Sequence, residues 1–429
     1  MSYYLENSTF GYDGRFHIFS PLPVDASIKE HVTVSYRPIA PLAHQEVVEF
    51  IIPPMAQYYV DLSRTKLRLG LRITDNKGEV ITAADRVGLI NYPLNTIFRS
   101  MEFSIQQREI TASVGSNYAY KAVIDTLLNK DPAELKSSLQ ASGFFPDTPS
   151  FMDHIEVEEA NQGLMERWVL TRNGAIAHLE GELHIDTMLI SQFLPNGLGF
   201  KLRLFPARDV FCLMHDSVNS YQIQLTSATL DMQYIIPTND ILIAHSNAIE
   251  KSPAIYSFER SNIKSWVIPS GLTTWSIDSM FADECPNELV IAMVSSKAYT
   301  GDSGSNPFNF QHFNLEHLSF QIENFASNSA IFNPDFSKNQ YTKEFLSLYG
   351  PENKNVGNVT YTAFGNGYTL YKVKLDKGVQ ANHTTMSRRA QTRLSFRFRV
   401  ALPEAVVVIA YGKFNSTLQI DRSRNVYIT

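Results

Sequence analysis

The chain has 429 residues, of which 44% are hydrophobic and 19% are charged, and its formal net charge is −6. This length accommodates two or three domains with large cores, and the negative charge excludes a protein that binds nucleic acid over its whole surface. The two cysteines, Cys212 and Cys285, exclude a disulfide framework and a Cys-rich zinc site.

The N-terminal residues predict an irregular arm. Residues 1–19 place charged and aromatic side chains where a signal peptide has an apolar core, and no apolar run in the chain is long enough to span a bilayer. We therefore expect a protein made and used inside a cell, with no membrane span. Residues 1–45 are polar and rich in proline, which predicts an extended arm that is disordered or lies against a neighbour.

Alternation of apolar and polar residues predicts β-strands from Glu46 onward. Val47–Ile52 is an apolar strand that ends at two prolines, and Lys66–Ile73 places apolar side chains on one face and basic side chains on the other. Further strands of this half are predicted at residues 97–107, 108–112, 167–170, 177–185, 199–206 and 221–237.

A change of period within this half predicts a helical insertion near residues 116–142. Apolar residues follow the spacing of one helical face at Tyr120, Val123, Ile124, Leu127 and Leu128. Asp131 then begins a second helix as its N-cap residue, with proline at the first helical position, and Gly143 ends the insertion.

The second half repeats this plan after an amphipathic linker helix at residues 238–251. A helix near residues 339–349 is ended by Gly350 and Pro351. The strands of this half are predicted at residues 254–260, 265–269, 288–295, 317–323, 369–375, 392–402, 405–411 and 416–420.

The two halves correspond in the order of their strands. Gly199–Pro206 and Arg393–Val400 are both alternating basic strands late in their halves, and each precedes an apolar run and a long final strand. Residues 46–237 and 252–429 number 192 and 178, well above the roughly 100 residues of a seven-stranded immunoglobulin-like sandwich. The sequence therefore predicts an all-β protein of two tandem eight-stranded antiparallel jelly rolls, a double jelly roll with short helical insertions.

Six segments also have an order and spacing that occur together in one protein family. They are Tyr59–Ser63, Ile90–Ser100, Asn117–Leu128, Leu194–Gly197, Asn306–Leu315 and Ile420–Val426. Along most of the chain after the arm, these segments resemble the double jelly-roll major capsid proteins of Polinton/Maverick elements and the related adintoviruses.

The resemblance implies a structural protein of the virion that self-assembles as a homotrimer. Three subunits would supply six jelly rolls and a pseudo-hexagonal capsomer, which tiles an icosahedral shell around double-stranded DNA. The implied partners are further copies of the chain, neighbouring capsomers and a penton or minor capsid protein, with packaged DNA contacted at most indirectly. The arm and helical insertions would clamp neighbours, so deleting residues 1–40 is expected to weaken shell formation and leave the fold intact.

Gly301–Gly304 has the sequence of the nucleophile loop of chymotrypsin-type proteases, in which the serine attacks and backbone N–H groups hold the oxyanion. The upstream histidine context of those proteases is missing, so we interpret the segment as a flexible surface loop. The chain also lacks a Walker loop, a Rossmann glycine pattern, HExxH and CxxC. The sequence therefore assigns no catalytic or cofactor-binding residue, and we expect no enzyme activity.

His178–His184 is a possible metal-binding pattern. On a strand, His178, Glu180, Glu182 and His184 would share one face, and imidazole and carboxylate groups bind divalent ions. The end residues of such a strand lie about 20 Å apart, so all four cannot share one ion. A solvated or subunit-contact face is the favoured interpretation, with pH-sensitive assembly as its consequence, and no metal ligand is assigned.

Basic residues recur on the polar faces of strands, and they are Lys66, Arg68, Arg72, Lys201, Arg203, Lys372, Lys374, Arg393, Arg397 and Arg399. One interpretation is contact with packaged DNA. The favoured interpretation is contact with solvent or with packed subunits, including protection of sheet edges against aggregation.

Two alternatives keep the β-rich fold and change the function. A glycan-binding or glycan-processing β-sandwich would need exposed aromatic side chains on a concave face, or a carboxylate pair at hydrolase spacing. Only three tryptophans, Trp168, Trp266 and Trp275, are available for stacking on sugars. A capsid gene integrated in an animal genome would keep the fold and change its biological context.

Overall fold

The structure, a computed structural model, describes ten stretches of the chain. They are residues 27–42, 46–82, 84–111, 117–155, 160–216, 219–282, 284–322, 330–349, 357–375 and 388–428. Antiparallel strands form the framework of these stretches, and short helices lie in the connections between the strands.

The strands before Thr238 form two four-stranded sheets and a short ribbon. These strands are β1 (Ile28–Tyr36), β2 (Val48–Ile52), β3 (Tyr59–Asp75), β4 (Gly88–Leu89), β5 (Phe98–Ile105), β6 (Arg108–Glu109), β7 (Ala177–Glu182), β8 (Phe200–Pro206), β9 (Leu213–Met214) and β10 (Tyr221–Pro237). One sheet has the order β1-β10-β3-β7 and the other β2-β8-β5-β6, and β4 pairs with β9.

The strands after residue 253 also form two main sheets. These strands are β11 (Ala254–Ile268), β12 (Thr274–Asp278), β13 (Glu284–Cys285), β14 (Glu288–Ser295), β15 (Leu315–Ile322), β16 (Ala330–Phe332), β17 (Leu370–Lys374), β18 (Arg388–Arg389), β19 (Thr392–Phe398), β20 (Val406–Ile420) and β21 (Val426–Ile428). The sheet orders are β11-β20-β14-β17, with β21 added beside β20, and β12-β19-β15-β16, and β13 pairs with β18.

The two halves have the same topology. If the eight strands of the two main sheets are numbered 1 to 8 in chain order within each half, the sheet orders are 1-8-3-6 and 2-7-4-5 in both halves. This is the strand order of a jelly roll, in which each roll closes by pairing its first strand with its last. The predicted fold class is confirmed, and we call the two units the first roll and the second roll.

Apart from α5 and the linker helix α6, the helices occupy corresponding connections in the two rolls. The helices are α1 (Pro93–Thr96), α2 (Tyr118–Asn129), α3 (Pro132–Leu135), α4 (Gln162–Thr171), α5 (Asp209–Cys212), α6 (Asn239–Ile249), α7 (Ser296–Thr300), α8 (Thr342–Ser347) and α9 (Tyr361–Phe364). In both rolls a group of helices lies between strands 5 and 6, namely α2 to α4 and α8 to α9. In both rolls one short helix, α1 or α7, also lies between strands 3 and 4, which extends the correspondence to the insertions.

The sheet that contains β14 and β20 is covered on both faces. Leu289, Ile291 and Met293 of β14 contribute to a core inside the second roll. The intervening side chains, Val290 and Ala292 among them, join the core that includes the first roll. Double burial explains why residues 288–295 and 405–411 read as continuous apolar runs, because neither face of these strands needs polar residues.

The expectation of an irregular arm through residue 45 is wrong for residues 28–36. These residues form β1, which pairs with β10 along its length and packs Val32, Val34 and Tyr36 against the core. The Tyr36 hydroxyl also lies 2.8 Å from that of Tyr234. The alternation of β1 is present in the sequence, but the prolines on both sides of it hid the signal. Residues 1–26 lie outside the described residues.

The strand predicted at residues 167–170 is also wrong, because these residues belong to helix α4. The Asn161 side chain caps the helix by accepting a hydrogen bond from the backbone N–H of Leu164, 3.4 Å away. Leu164, Arg167 and Thr171 form its buried face. The helical spacing was hidden because an arginine and a threonine take the place of apolar residues on that face.

Two pairs of strands predicted in the second half are each one long strand. Residues 254–268 form β11, and residues 406–420 form β20, and the two pair without interruption. Gly412 lies inside β20 because the Phe281 and Phe414 rings occupy the space that a side chain would need. A glycine within a strand marks such a close approach as often as a break.

The predicted helices differ from the observed ones mainly at their ends. The stripe in residues 116–142 belongs to α2, and the Asp131 carboxylate caps α3 by accepting from the Ala133 N–H at 2.7 Å. Gly143 ends the insertion with a φ of 80°, a conformation in which glycine avoids steric strain. The helix predicted at residues 339–349 is shorter, at Thr342–Ser347. The predicted stop at residues 350–351 lies outside the described residues.

Deletion of residues 1–40 therefore removes a strand as well as the N-terminal segment. We expect this deletion to lower the free energy of unfolding by roughly 2–4 kcal/mol, because it exposes the core face that β1 covers and leaves β10 as an open edge. Urea unfolding and light scattering of the soluble fraction measure both effects. A deletion of residues 1–26 is the control, and it should lose less stability than the deletion of residues 1–40 because it keeps β1. Equal stability of the two truncated proteins would contradict the assigned role of β1.

Candidate functional site: the seam between the two rolls

The contact between the rolls, which we call the seam, is built around helix α2. Every residue of α2 from Tyr118 to Leu128 is buried, including Lys121 and Asp125. A surface helix normally has one polar, solvated face. Helix α2 has none because the first roll covers one side and the outer face of the β14–β20 sheet covers the other. Its charged residues must therefore find partners inside the protein.

Asp125 is the first carboxylate that joins the rolls. Its Oδ1 accepts a hydrogen bond from the Tyr411 hydroxyl of β20 at 2.6 Å, and its Oδ2 lies 3.5 Å from Nδ1 of His184. Burial would raise the pKa of the Asp125 carboxyl, but the hydrogen bond from His184 and the charges of Lys413 and Lys121 outweigh it and hold the pKa well below its usual range. Asp125 therefore stays ionised inside the seam.

Asp186 is the second carboxylate of the seam. It forms an ion pair with Lys121 of α2, with 2.5 Å between Nζ and Oδ1. On the other side it accepts hydrogen bonds from the Ser261 backbone N–H at 2.8 Å and hydroxyl at 2.7 Å, which belong to β11. One carboxylate thus fixes a helix of the first roll and a strand of the second roll at the same point.

Asp147 is the third carboxylate, and it lies in a connection of the first roll. It pairs with Arg167, whose side chain is fully buried, at 2.6 Å. From the second roll, Asn306 donates to the Asp147 carboxylate at 2.9 Å, and the Tyr368 hydroxyl donates to its backbone carbonyl at 2.8 Å. The Arg167 guanidinium also donates to the Leu89 and Phe145 carbonyls, so each of its three nitrogens has an acceptor.

A further buried charge group supports the seam from within the second roll. The Glu288 carboxylate lies 3.0 Å from Nζ of Lys372 and 3.5 Å from Nζ of Lys413. Burial acts to raise the pKa of Glu288, but the two lysines dominate and lower it. Lys413 also acts on Asp125, so the charges of the β14–β20 sheet and of α2 form one electrostatic network.

Aromatic stacking and helix capping complete the seam. Tyr120 of α2 stacks on Tyr299 of the second roll, with 5.5 Å between ring centroids, and meets Phe308 edge-on at 5.6 Å. At the other end of α2, the Asn358 backbone N–H donates to the Leu127 carbonyl at 2.9 Å, and its side-chain amide donates to the Lys130 carbonyl at 2.9 Å. The second roll therefore caps the C-terminus of a helix in the first.

The His178–His184 pattern forms the predicted face only in part, because His184 departs from it. Strand β7 ends at Glu182, and His178 and Glu180 are exposed as expected. His184 instead lies inside the protein, where its Nε2 is 3.0 Å from the Tyr92 hydroxyl. Glu180 and Glu182 pair with Lys66 and Lys130. Among the residues that the structure describes, no group of three or more His, Cys, Asp or Glu side chains is placed to hold a metal ion.

The Gly301–Gly304 segment lies against the first roll. The backbone carbonyl of Ser303 accepts from the His215 N–H at 3.0 Å, and Asp302 accepts from the Ser305 hydroxyl at 2.7 Å. Gly301 follows α7 with a φ of 100°, which favours glycine. These contacts give the four residues a structural role, as the connection that follows α7.

Eight of the ten basic residues named on the strand faces form ion pairs with other described residues. The pairs are Lys66–Glu180, Arg68–Asp231, Lys201–Glu49, Arg203–Glu102, Lys372–Glu288, Arg393–Asp278, Arg397–Glu316 and Arg399–Asp335. Arg72 donates to Gln224 at 2.7 Å. Most of these pairs are partly exposed and add little stability individually. The acidic partners neutralise the basic side chains that DNA phosphate groups would otherwise contact.

Sequence reasoning missed the residues of the seam. Lys121 and Asp125 are the available signal, because they are charged residues within the most apolar helix of the first half. The partners Asp186 and Tyr411 lie 65 and 286 residues away along the chain, so local patterns cannot identify them. None of the helices in the described residues is long and apolar enough to cross a membrane.

Comparison with known proteins finds relatives over nearly the whole chain. No protein-family model matches it. An uncharacterized protein of Caenorhabditis elegans is 23% identical over 397 residues, which cover 88% of this chain and 92% of that protein.

Solved structures share the fold at low sequence identity. A chain of the Sputnik virophage matches with a TM-score of 0.63 and 12% identity, covering 99% of this chain and 93% of its own length. The mavirus major capsid protein matches with a TM-score of 0.52 and 12% identity, covering 100% of this chain and 97% of its own length. The faustovirus major capsid protein matches with a TM-score of 0.53 and 8% identity, covering 94% of this chain and 92% of its own length. The shared fold is therefore that of viral double jelly-roll major capsid proteins, and it includes both rolls.

The Asp147 site predicts a large effect of one substitution. Asp147→Ala leaves the fully buried Arg167 guanidinium without its carboxylate and should lower the free energy of unfolding by about 3–5 kcal/mol. Asp278→Ala is the matched control, because it removes an ion pair whose side chains are 54% and 72% exposed, and such pairs contribute little. Urea unfolding measures both variants. Equal effects would show that Asp147 does not hold the seam.

The depressed pKa of Asp125 predicts acid sensitivity. The pKa of the Asp125 carboxyl is lower in the folded state than in the unfolded state, where it is about 3.9. Its ionised form therefore stabilises the fold at pH values above about 3.9. This contribution is lost as the pH falls from about 3.9 towards the folded pKa. Asp125→Asn removes this titration. We expect the variant to be less stable than the parent at pH 7 and the difference to shrink below about pH 4. Urea midpoints between pH 7 and pH 2.5 measure it, and a constant difference would contradict the prediction.

Proposed function

We propose that this chain is the major capsid protein of a virus or of a virus-derived element, with a structural and not an enzymatic role. The observation that carries the proposal is the pair of rolls with identical topology, held side by side by a buried polar seam. The virophage, mavirus and faustovirus proteins that share this fold support it.

The proposed assembly unit is a homotrimer. Three subunits with two rolls each present six similar units around one axis, which gives a pseudo-hexagonal capsomer that tiles an icosahedral shell. A rigid seam supports this geometry, because the outline of the capsomer depends on the angle between the rolls in every subunit. The seam provides that rigidity through three carboxylates, Asp125, Asp147 and Asp186, each bonded to both rolls.

Subunit contacts would cover apolar side chains that are exposed in the isolated chain. The most exposed large ones include Leu189 at 72%, Ile255 at 62%, Ile243 at 61% and Val400 at 60%. Obligate interfaces typically bury more than about 2,000 Å² and are more apolar than the rest of the surface. We infer that some of these side chains lie in the interfaces between subunits or between capsomers.

We further propose that the shell encloses double-stranded DNA and that the protein resides in the virion, with neighbouring capsomers and a penton or minor capsid protein as partners. The ion pairs on the strand faces support indirect contact with the genome at most, since the cations are already neutralised. The proposed affiliation is with Polinton/Maverick elements and adintoviruses. The relative in Caenorhabditis elegans supports the variant in which such a capsid gene is integrated in an animal genome.

The glycan-binding alternative gains no support from the tryptophans. Trp168, Trp266 and Trp275 are all half-buried. The Trp168 indole donates to the Asp85 carbonyl at 3.4 Å, and Trp275 packs on Phe396 with 6.2 Å between ring centroids. Sugar recognition by stacking needs an accessible aromatic face, so we retain the capsid proposal alone.

The proposal predicts the mass and outline of the purified protein. We expect trimers of about 145 kDa, three times the 48.5 kDa chain, with six lobes in negative-stain electron microscopy, or closed shells. Multi-angle light scattering and imaging of the same fraction measure this. A single monomeric species that does not assemble across salt concentration and pH would overturn the proposal.

A further inference from the structure

Helix α6 connects the rolls, and the described residues cover its apolar side chains only in part. No residue of α6 is buried, and Ile243 is 61% exposed. Leu242 and Ile249 are only half-buried. Eleven residues cannot hold an isolated helix in water by intrinsic propensity, so packing must supply its stability. Among the described residues, that packing is limited to one side.

A groove of about 460 Å³ lies along this helix. Its apolar lining comes from α6 and from the two rolls, and it comprises Leu242, Ile243, Ile249, Phe193, Pro195 and Tyr256. The Tyr59 ring and the His245 ring also meet there, with 3.1 Å between the Tyr59 hydroxyl and Nδ1 of His245. The groove therefore has the chemistry to accept apolar and aromatic side chains.

A cationic side chain also lines the groove. Arg424 lines it, and its Nη2 donates to the Asn196 side chain at 2.7 Å. Its Nη1 is buried and has no hydrogen-bond partner within the described stretches. The groove therefore carries a positive charge that an occupant with a carboxylate would complement.

The N-terminal segment of the same chain enters at this place. Strand β1 runs antiparallel to β10 with Ile28 opposite Pro237, so the chain before Ile28 continues beyond the end of β10, where α6 begins. The Thr238 N–H donates to the Ser27 carbonyl at 3.0 Å, directly at the start of α6. The helix is about 16 Å long, and roughly five extended residues span that distance. Residues 1–26 are thus tethered beside the groove and are long enough to fill it.

The composition of residues 1–26 matches the groove. Six of these 26 positions are aromatic, about twice the frequency of the whole chain, which is 12%. The segment has three acidic residues, Glu6, Asp13 and Asp25, against one basic residue, Arg15, which gives a formal net charge of −2. It therefore offers aromatic side chains for the apolar lining and carboxylates for Arg424.

We propose that residues 1–26 bind in cis, in the groove between α6 and the two rolls of their own chain. The aromatic side chains of the segment cover Ile243 and its neighbours, and an acidic side chain lies beside the Arg424 guanidinium. The tether raises the effective concentration of the segment at its own groove above that of a neighbouring copy. The inference goes beyond the capsid proposal and does not depend on it, because an isolated subunit suffices for the contact.

Photo-crosslinking of the full chain tests this arrangement. Ile243→p-benzoylphenylalanine places a photoreactive group in the groove, and Val400→p-benzoylphenylalanine is the matched control at a position of equal exposure, 61% against 60%. After illumination, denaturing electrophoresis separates crosslinks within one chain, at 48.5 kDa, from crosslinks between chains at twice that mass. Peptide mass spectrometry identifies the partner residues.

We expect the group at position 243 to react with residues 1–26 at the single-chain mass, and the control to give no such product. Adding Phe16→Ser and Phe19→Ser to the position-243 variant should lower the yield about tenfold, because the segment loses two apolar anchors. Products at the double mass would assign the groove to the arm of a neighbouring copy and overturn binding in cis. Absence of any product with residues 1–26 would overturn the proposal altogether, whether or not the protein forms trimers.

Discussion

The structure depends on one constraint: the sheet that contains β14 and β20 belongs to two cores at once. Its inner face closes the second roll, and its outer face meets α2 and the first roll. A sheet covered on both sides shields the seam from solvent, so the buried charged groups there need partners within the protein. Asp125, Asp147 and Asp186 meet this requirement by bonding to both rolls.

The carboxylates give the seam a defined geometry that apolar packing alone would not give. Apolar surfaces tolerate small shifts with little loss of contact area, whereas a carboxylate that accepts a hydrogen bond at 2.6 Å loses it after a shift of one ångström. Asp186 illustrates this, because Lys121 of the first roll and Ser261 of the second both bond to its Oδ1. Directional bonds therefore join the two rolls at several separate points.

Much of the fold could be predicted because its signals are local. Residues 221–237 and 288–295 coincide with β10 and β14, since alternation and apolar runs report burial directly. The misassignments have physical causes. Strand β1 lies between prolines, α4 buries an arginine where an apolar residue was expected, and Gly412 makes room for two rings within β20. The seam could not be predicted, because its polar pairs join residues that are distant along the chain and that look like solvent-facing positions.

The closure of each roll by its first and last strands also determines the order of events during synthesis. Tyr36 meets Tyr234 across 198 residues, so the first roll cannot close until its final strand has been made. Once it has closed, α2 still lacks Tyr411, which is made 286 residues after Asp125. A nascent chain therefore passes through a stage in which a finished first roll presents an apolar face with charged groups still awaiting partners. Such a face favours aggregation at high protein concentration, and the interval ends only when β20 emerges from the ribosome.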